Sequence, residues 1–154
     1  MDNQKHKLQL EQLDKKLNEY GILKNLNIPS KGWIYAVRNT LNMSLKQFGK
    51  RLNITSQSAK EIETRESSGS ITLKNISEAA EALHMRFVYC IIPQSESLTK
   101  MIENRALQLA KEIVNRTSQS MSLEDQENNP ERLEKAIKEK AENIKNEMPR
   151  YLWD

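Results

Sequence analysis

The segment from Ser44 to Arg65, SLKQFGKRLNITSQSAKEIETR, constrains the fold more than any other part of the chain. Its apolar side chains recur at three- and four-residue steps in two short runs, which is the periodicity of one helix face. Between the runs lies Asn53, a residue type that tolerates the left-handed backbone conformation that ends a helix. The segment therefore predicts two short helices joined by a tight turn, with Ser44 capping the first and Thr55 or Ser56 capping the second.

The residues expected to shape this pair of helices follow a fixed spacing. Gly49, Asn53, Ile54, Ala59 and Ile62 fall at offsets 0, 4, 5, 10 and 13, and the missing side chain at Gly49 lets the second helix pack closely. This is the spacing of a helix-turn-helix, whose second helix enters the major groove of DNA. A plain helical hairpin within an all-α core is the alternative. The outward side chains of the second helix are polar and long enough to reach base edges: Ser56, Gln57, Lys60, Glu61 and Thr64.

Basic residues are concentrated in the same part of the chain. The whole protein has a net charge of only +3, but residues 31–65 contain seven Lys or Arg and two acidic residues. Such an excess is what contact with phosphates requires. The Gln57 amide can form two hydrogen bonds with adenine, and the Lys60 ammonium can donate to guanine. The Ser56 hydroxyl can bind either a base or a phosphate. Contacts with the DNA backbone, which position the protein without specifying sequence, are expected from Lys31, Lys46, Lys50, Arg51, Thr55, Ser58, Lys74 and Asn75.

Composition narrows the class of protein. The chain has 154 residues with four Gly and four Pro, which predicts one helical domain or a small helical domain with extensions. It contains no run of 18 apolar residues, and its N-terminus lacks a secretory apolar core, so we expect a cytoplasmic protein with no membrane partner. The single cysteine, Cys90, lies in an apolar run and is expected to be buried and inert. No catalytic constellation, glycine-rich phosphate loop or metal-ligand cluster is evident, so we expect no enzyme activity, no cofactor and no metal.

The flanking segments predict further helices. Residues 1–28 contain an amphipathic helix, and residues 30–85 form the DNA-binding domain, with Ser30 capping a helix over 31–41. A polar turn is expected at residues 66–70, followed by a helix capped by Thr72 with Leu73 facing inward. Residues 97–154 form a C-terminal helical arm that begins at Ser97 and is interrupted by a loop over 117–129. Its final segment, Tyr151-Leu152-Trp153, has two aromatic residues beside a Leu and is expected to dock onto the body of the protein, with a partner subunit as the alternative.

One segment departs from the helical pattern. Residues 86–93, RFVYCIIP, are β-branched and aromatic, and the segment is ended by a proline, which is typical of a short strand. A lone strand needs a partner for its backbone groups. We therefore expect an antiparallel pairing with the same strand of a second subunit about a two-fold axis. An extended core segment without pairing is the alternative. The side chains of the predicted dimerisation strand are Phe87, Val88, Tyr89, Cys90 and Ile91.

The helix-turn-helix spacing resembles that of the lambda-repressor-like (XRE-type) DNA-binding family. The chain departs from the family pattern at Asn53, where Gly is commonest, and at Leu45, where Gln is common and makes a phosphate contact in some relatives. The resemblance implies a salt bridge between Arg38 and Glu63 that ties the first helix of the domain to the recognition helix. Two separate surface charges are the alternative. The expected fold is thus all-α, with a lambda-repressor-like core, one dimerising strand and helical extensions at both ends.

Four segments together resemble one subfamily, mobile mystery protein A: LEQLDKKL (10–17), KGWIYAVRNTLNMSLKQFGKRLNIT (31–55), ITLKNISEAAEALHMRFVYCIIP (71–93) and LWD (152–154). That family is regarded as a DNA-binding regulator encoded beside a Fic-domain protein. The resemblance implies a homodimeric repressor of a near-palindromic operator that acts as the autoregulating, antitoxin-like partner of a Fic-domain protein. The alternative is a protein-binding antitoxin module that neutralises a toxin through its helical arms.

Overall fold

The computed structural model describes residues 2–122 and 129–154, and within these ranges every regular element is helical. The described residues form seven α-helices: α1 (Asp2–Asn18), α2 (Trp33–Thr40), α3 (Leu45–Leu52), α4 (Ser56–Ser68), α5 (Leu73–Ala82), α6 (Leu98–Ser122) and α7 (Pro130–Glu147). Two short 3-10 helices lie at Gly21–Asn25 and Arg150–Trp153. The predicted all-α class is confirmed. None of the described helices combines the length and the apolar character that crossing a membrane requires.

The chain divides into two compact units, each with its own apolar core. Residues 25–91 form the first, which we call the central unit, and it contains α2 to α5. The described residues of 1–24 and 92–154 form the second, which we call the terminal unit. The terminal unit thus joins α1 to α6 and α7, whereas the sequence suggested an N-terminal helix and a C-terminal arm as separate segments.

The core of the central unit is small and is shared by all four of its helices. Its buried apolar side chains are Ile34, Phe48, Ala59, Ala79 and Leu83. Leu73 was expected to face inward, but it is exposed. It is the first residue of α5, and the inner face of that helix begins one turn later at Ile76, which packs against the core.

Local hydrogen bonds explain where the helices of the central unit begin. Ser44 and Gln47 form a reciprocal capping box at the start of α3, and the hydroxyls of Thr55 and Thr72 accept backbone N–H groups at the starts of α4 and α5. Ser30, by contrast, does not cap α2, which begins later, at Trp33, with no capping side chain from its own segment. The turn expected at residues 66–70 is also shorter, because α4 continues to Ser68 and ends at Gly69, whose φ of 75° favours glycine.

The core of the terminal unit lies between α6 and α7 and includes the end of the chain. Ile102, Ala106, Ala110, Ile144 and Leu152 are its buried side chains. The end of the chain therefore docks onto the body, as expected, although Tyr151 and Trp153 themselves are exposed. Helix α6 runs to Ser122, through part of the loop expected over 117–129; residues 123–128 of that loop lie outside the described residues.

Asp14 joins α1 to the start of α6. Its two carboxylate oxygens accept the Leu98 N–H at 2.6 Å and the Thr99 N–H at 2.9 Å, and the Thr99 hydroxyl also donates to it at 2.6 Å. Burial would raise the pKa of Asp14, but the hydrogen bonds from Thr99 and Leu98 outweigh this and hold the pKa below its ordinary value. Asp14 therefore acts as a charged cap of α6, supplied from another helix.

This cap predicts a pH dependence of stability. Because the folded-state pKa of Asp14 is depressed, its contribution is complete above the ordinary carboxyl pKa and is lost as the pH falls below about 4. We expect Asp14→Asn to lower the free energy of unfolding by about 1–2 kcal/mol at pH 7. Urea unfolding of both proteins from pH 7 to pH 3 measures the difference, which should shrink as the pH falls. A difference independent of pH would contradict the charged-cap interpretation.

Residues 86–93 form no strand in the described chain. A strand requires a hydrogen-bonding neighbour, and the described part of the chain provides none for this segment, so pairing with a second subunit stays a proposal. Its side chains are largely exposed, including Val88 at 68%, Tyr89 at 70% and Ile91 at 84% of their surface. The prediction that Cys90 is buried was wrong, because Cys90 is exposed with the rest of this apolar segment.

Candidate nucleic-acid interface

Helices α3 and α4 are joined by a turn of three residues that follows Leu52. Asn53 ends α3 in the left-handed conformation, with φ of 56°, and the Ile54 N–H donates to the Gly49 carbonyl at 2.9 Å. A side-chain carbon at Gly49 would lie 2.8 Å from the Ile54 carbonyl oxygen and 3.0 Å from that of Thr55. Glycine is therefore required here because the turn backbone lies directly against α3. This close contact sets the direction in which α4 leaves the turn.

The outer face of α4 carries the five residues expected to reach base edges. Ser56, Gln57, Lys60, Glu61 and Thr64 are all exposed, whereas Ala59 and Glu63 on the opposite side are buried.

Two of these five are engaged within α4 itself. Glu61 lies 3.6 Å from Arg65, and the Thr64 hydroxyl donates to the Lys60 carbonyl at 3.0 Å. Within the described ranges the side chains of Gln57 and Lys60 make no hydrogen bond. Ser56, whose side chain also makes no hydrogen bond in these ranges, joins Gln57 and Lys60 as the members of this face best able to bind a ligand.

The cations expected to contact a DNA backbone differ in how they are held. Lys46 and Lys50 on α3 are exposed, and Lys31 lies over the Tyr35 ring at 4.9 Å from its centre. Arg51 donates from one nitrogen to the Ala82 carbonyl at 3.0 Å, so part of its guanidinium holds the end of α5. Lys50 and Arg51 share an open groove of about 500 Å³ beside the loop that precedes α3.

The remaining candidates for backbone contact lie at the starts of α4 and α5. The hydroxyls of Thr55 and Ser58 are 3.0 Å apart, and Thr55 also accepts the Ser58 N–H as the cap of α4. Lys74 lies 3.9 Å from Glu78. Ser58 and Asn75 line the same groove of about 310 Å³ between α4 and α5. The structure therefore brings Ser58 and Asn75 together and leaves Lys74 paired along its own helix.

Arg38 and Glu63 form a buried ion pair between α2 and α4. The Arg38 Nε donates to one Glu63 oxygen, and Nη2 donates to the other at 3.2 Å. Nη1 donates to the Met43 carbonyl at 2.6 Å, so all three nitrogens of the guanidinium have acceptors. The hydrogen bond that Arg38 donates to Glu63 raises the pKa of Arg38 above its ordinary value, against the opposing effect of burial. Only 8% of the surface of Arg38 and 7% of that of Glu63 are exposed, which excludes the alternative of two surface charges.

Glu66 holds the other end of α2, and the sequence did not indicate it. Its two carboxylate oxygens accept the Trp33 N–H at 2.7 Å and the Ile34 N–H at 2.9 Å, so a side chain of α4 caps α2. The residue before α2 is Gly32, where a side-chain carbon would lie 2.6 Å from a Glu66 oxygen. The sequence suggested Ser30 as the cap of a helix over 31–41, and nothing near Gly32 identifies the distant acceptor.

The described residues contain no group of three or more His, Cys, Asp or Glu side chains that could hold a metal ion. No family model, no curated protein and no solved structure matches the chain.

Proposed function

We propose that this protein is a homodimeric, sequence-specific DNA-binding repressor built on a helix-turn-helix of the XRE type, with α4 as the recognition helix. The observation that carries the proposal is the outer face of α4, where Gln57 and Lys60 are exposed beside the cations of α3. A Gln amide and a Lys ammonium near the start of a helix are suited to base edges in the major groove. Lys46 and Lys50 supply the positive charge that phosphates attract.

The proposal extends to the way two copies would assemble on DNA. Antiparallel pairing of residues 86–93 about a two-fold axis would place two recognition helices on one duplex, and half-sites about 34 Å apart would make the operator a near-palindrome. The exposed Val88, Tyr89 and Ile91 support this role, because such a run of apolar side chains is typical of an interaction site. Following the resemblance to mobile mystery protein A, we also propose that the operator is the protein's own promoter.

The experiment that tests the proposed function is selection of bound duplexes from a random pool, followed by binding isotherms on the selected and a scrambled duplex. A specific repressor should prefer the selected duplex by about 10³-fold or more, with affinity for both duplexes falling steeply as salt rises. Equal affinity for the two duplexes would reject sequence-specific binding, and no binding at low salt would reject DNA as the ligand.

Proline substitution tests the proposed strand pairing. Backbone N–H groups alternate in direction along a strand, so either Val88 or Ile91, three residues apart, would donate to the partner. Because proline has no N–H, we expect one of Val88→Pro and Ile91→Pro to give monomers in light scattering at micromolar concentration. Val88→Ser and Ile91→Ser are the controls. They remove the same apolar side chains but keep the N–H groups, so the difference between the serine and proline variants measures the effect of the lost hydrogen bond. Dimers in both proline variants would place the interface elsewhere.

A second candidate function is a protein-binding antitoxin, and the end of the chain favours it. Arg105 donates to the Leu152 carbonyl at 2.7 Å and to the Asp154 carbonyl at 2.6 Å, which fixes the terminal turn while Tyr151 and Trp153 stay exposed. Exposed aromatic side chains on a rigid support are typical anchors of protein interfaces. The partner that the resemblance suggests is a Fic-domain protein, and co-purification with the product of the neighbouring reading frame tests it. Loss of that complex in a Tyr151→Ala/Trp153→Ala variant would support the terminal turn as its site.

A further inference from the structure

We propose that Glu66 is a positioning residue for DNA recognition, which sets the orientation of the outer face of α4 by holding the first turn of α2. This inference rests on the proposed DNA-binding function. Glu66 is partly buried and lies outside the candidate base-contacting set. Its carboxylate accepts hydrogen bonds from the Trp33 and Ile34 N–H groups instead. Any effect of Glu66 on recognition must therefore be indirect, by way of the position of α4.

The first step of the argument is that α4 holds α2 at both ends. Glu63 binds Arg38, which lies in the last turn of α2, and Glu66 accepts the N–H groups of the first turn. Residues three apart lie on the same face of a helix, so the two carboxylates act side by side. A contact at one end alone would restrain the angle between α2 and α4 less, beyond the packing of both helices on the shared core. Two contacts, at opposite ends of a helix about 12 Å long, fix the angle between α2 and α4.

The second step is that the fixed face and the exposed face of α4 are opposite one another. At about 100° per residue, Glu63 and Glu66 fall within about 40° of the buried Ala59 on α4. Gln57 falls about 160° from Ala59, on the far side, and Lys60 falls about 100° from it, on the flank. A change in the angle of α4 would therefore displace the outer side chains. Bonds to base edges depend on direction, whereas attraction to phosphates depends mainly on distance. Loss of the Glu66 contact should thus reduce specificity more than general affinity.

The third step is that the absence of a side chain at Gly32 leaves room for the Glu66 carboxylate. Its φ of 85° is accessible to glycine, and a side-chain carbon there would lie 2.6 Å from the Glu66 oxygen and 2.7 Å from the carboxyl carbon. Because that carboxylate ends a flexible side chain, alanine at Gly32 would push it off the helix terminus. Gly32→Ala should therefore displace the Glu66 carboxylate while every residue of α4 is unchanged, although alanine at this φ also strains the start of α2. The two variants remove the same contact from opposite sides.

The test compares affinities for the duplex selected by the wild-type protein and for a scrambled duplex, below the melting temperature of every variant. We expect Glu66→Ala and Gly32→Ala each to lower the selected-to-scrambled ratio about tenfold, which corresponds to about 1.4 kcal/mol. Glu66→Gln keeps one acceptor oxygen, so its ratio should lie between those of Glu66→Ala and the wild type. The double variant Gly32→Ala/Glu66→Ala should match the single ones, because both remove the same contact.

Ser67→Ala is the matched control. Its hydroxyl donates at 2.9 Å to the Thr64 carbonyl of the same helix and makes no bond to α2 within the described residues, so its ratio should equal that of the wild type. A role of Glu66 in stability alone would lower the melting temperature and leave the ratio unchanged, and this outcome would overturn the inference. If Glu66→Ala does not fold, unchanged ratios in both Glu66→Gln and Gly32→Ala would overturn it. A wild-type protein without preference for any duplex would instead reject the proposed function.

Discussion

Arg38→Met and Glu63→Gln are each expected to lower the free energy of unfolding by about 3–5 kcal/mol, because each leaves one buried member of the pair without its partner. The remaining charge has little contact with water, since less than a tenth of the surface of either residue is exposed. For a central unit with so small a core, this is a large share of the 5–15 kcal/mol that stabilises a typical domain. Thermal and urea unfolding followed by circular dichroism measure the effect.

The control is Glu61→Gln on the same helix. Glu61 lies 3.6 Å from Arg65, but about half of each side chain is exposed, so its loss should cost less than about 1 kcal/mol. The double variant Arg38→Met/Glu63→Leu should recover much of the loss, because it removes both charges and fills the space with apolar groups. Stabilities of both single variants close to that of the parent would contradict the interpretation of a buried, mutually dependent pair.

The features that the sequence predicted correctly depend on neighbours along the chain. The capping of α3 by Ser44 and the left-handed turn at Asn53 involve residues at most four positions apart, so periodicity and capping preferences suffice to place them. Gly49 is similar, because the carbonyls that exclude a side chain there follow within six residues. The pair of Arg38 and Glu63 spans 25 residues, and it was expected only from the family resemblance.

The features that the sequence did not predict depend on distant partners. Glu66 caps a helix that begins 33 positions earlier, and Asp14 caps one that begins 84 positions later. In the sequence, Glu66 and Asp14 cannot be distinguished from ordinary exposed acidic residues, because the helix that each one caps lies far away along the chain. The extension of α4 through Glu-Ser-Ser was also missed. These serines bond back to their own helix, as Ser67 does to the Thr64 carbonyl, rather than starting a turn.

Burial was harder to predict than secondary structure. The apolar run around Cys90 suggested an interior position, yet Val88, Cys90 and Ile91 are exposed. An apolar sequence shows that a segment gains from burial, but not whether its own chain provides the cover. In this chain the observation supports the proposal that a second subunit covers the segment.

Gln57→Ala and Lys50→Ala are expected to weaken DNA binding in two different ways. Gln57 lies in the first turn of α4, exposed and without a hydrogen bond in the described part of the chain. Its amide can donate and accept at once, which matches the edge of adenine. Its loss should cost about 1–3 kcal/mol on the selected duplex, relax the preference at one position of each half-site, and change binding to scrambled DNA little.

Lys50 lies on α3, exposed in the groove that it shares with Arg51, where a cation would meet phosphate rather than a base. Its replacement by alanine should weaken binding to selected and scrambled duplexes about equally and reduce the slope of log affinity against log salt by about one for each subunit. Lys135→Ala on the exposed face of α7 is the control for charge alone and should leave that slope unchanged. Isotherms on both duplexes at several salt concentrations distinguish the two variants. An unchanged selected-to-scrambled ratio in Gln57→Ala would mean that α4 does not contact the bases through this residue. An unchanged slope in Lys50→Ala would remove Lys50 from the phosphate contacts.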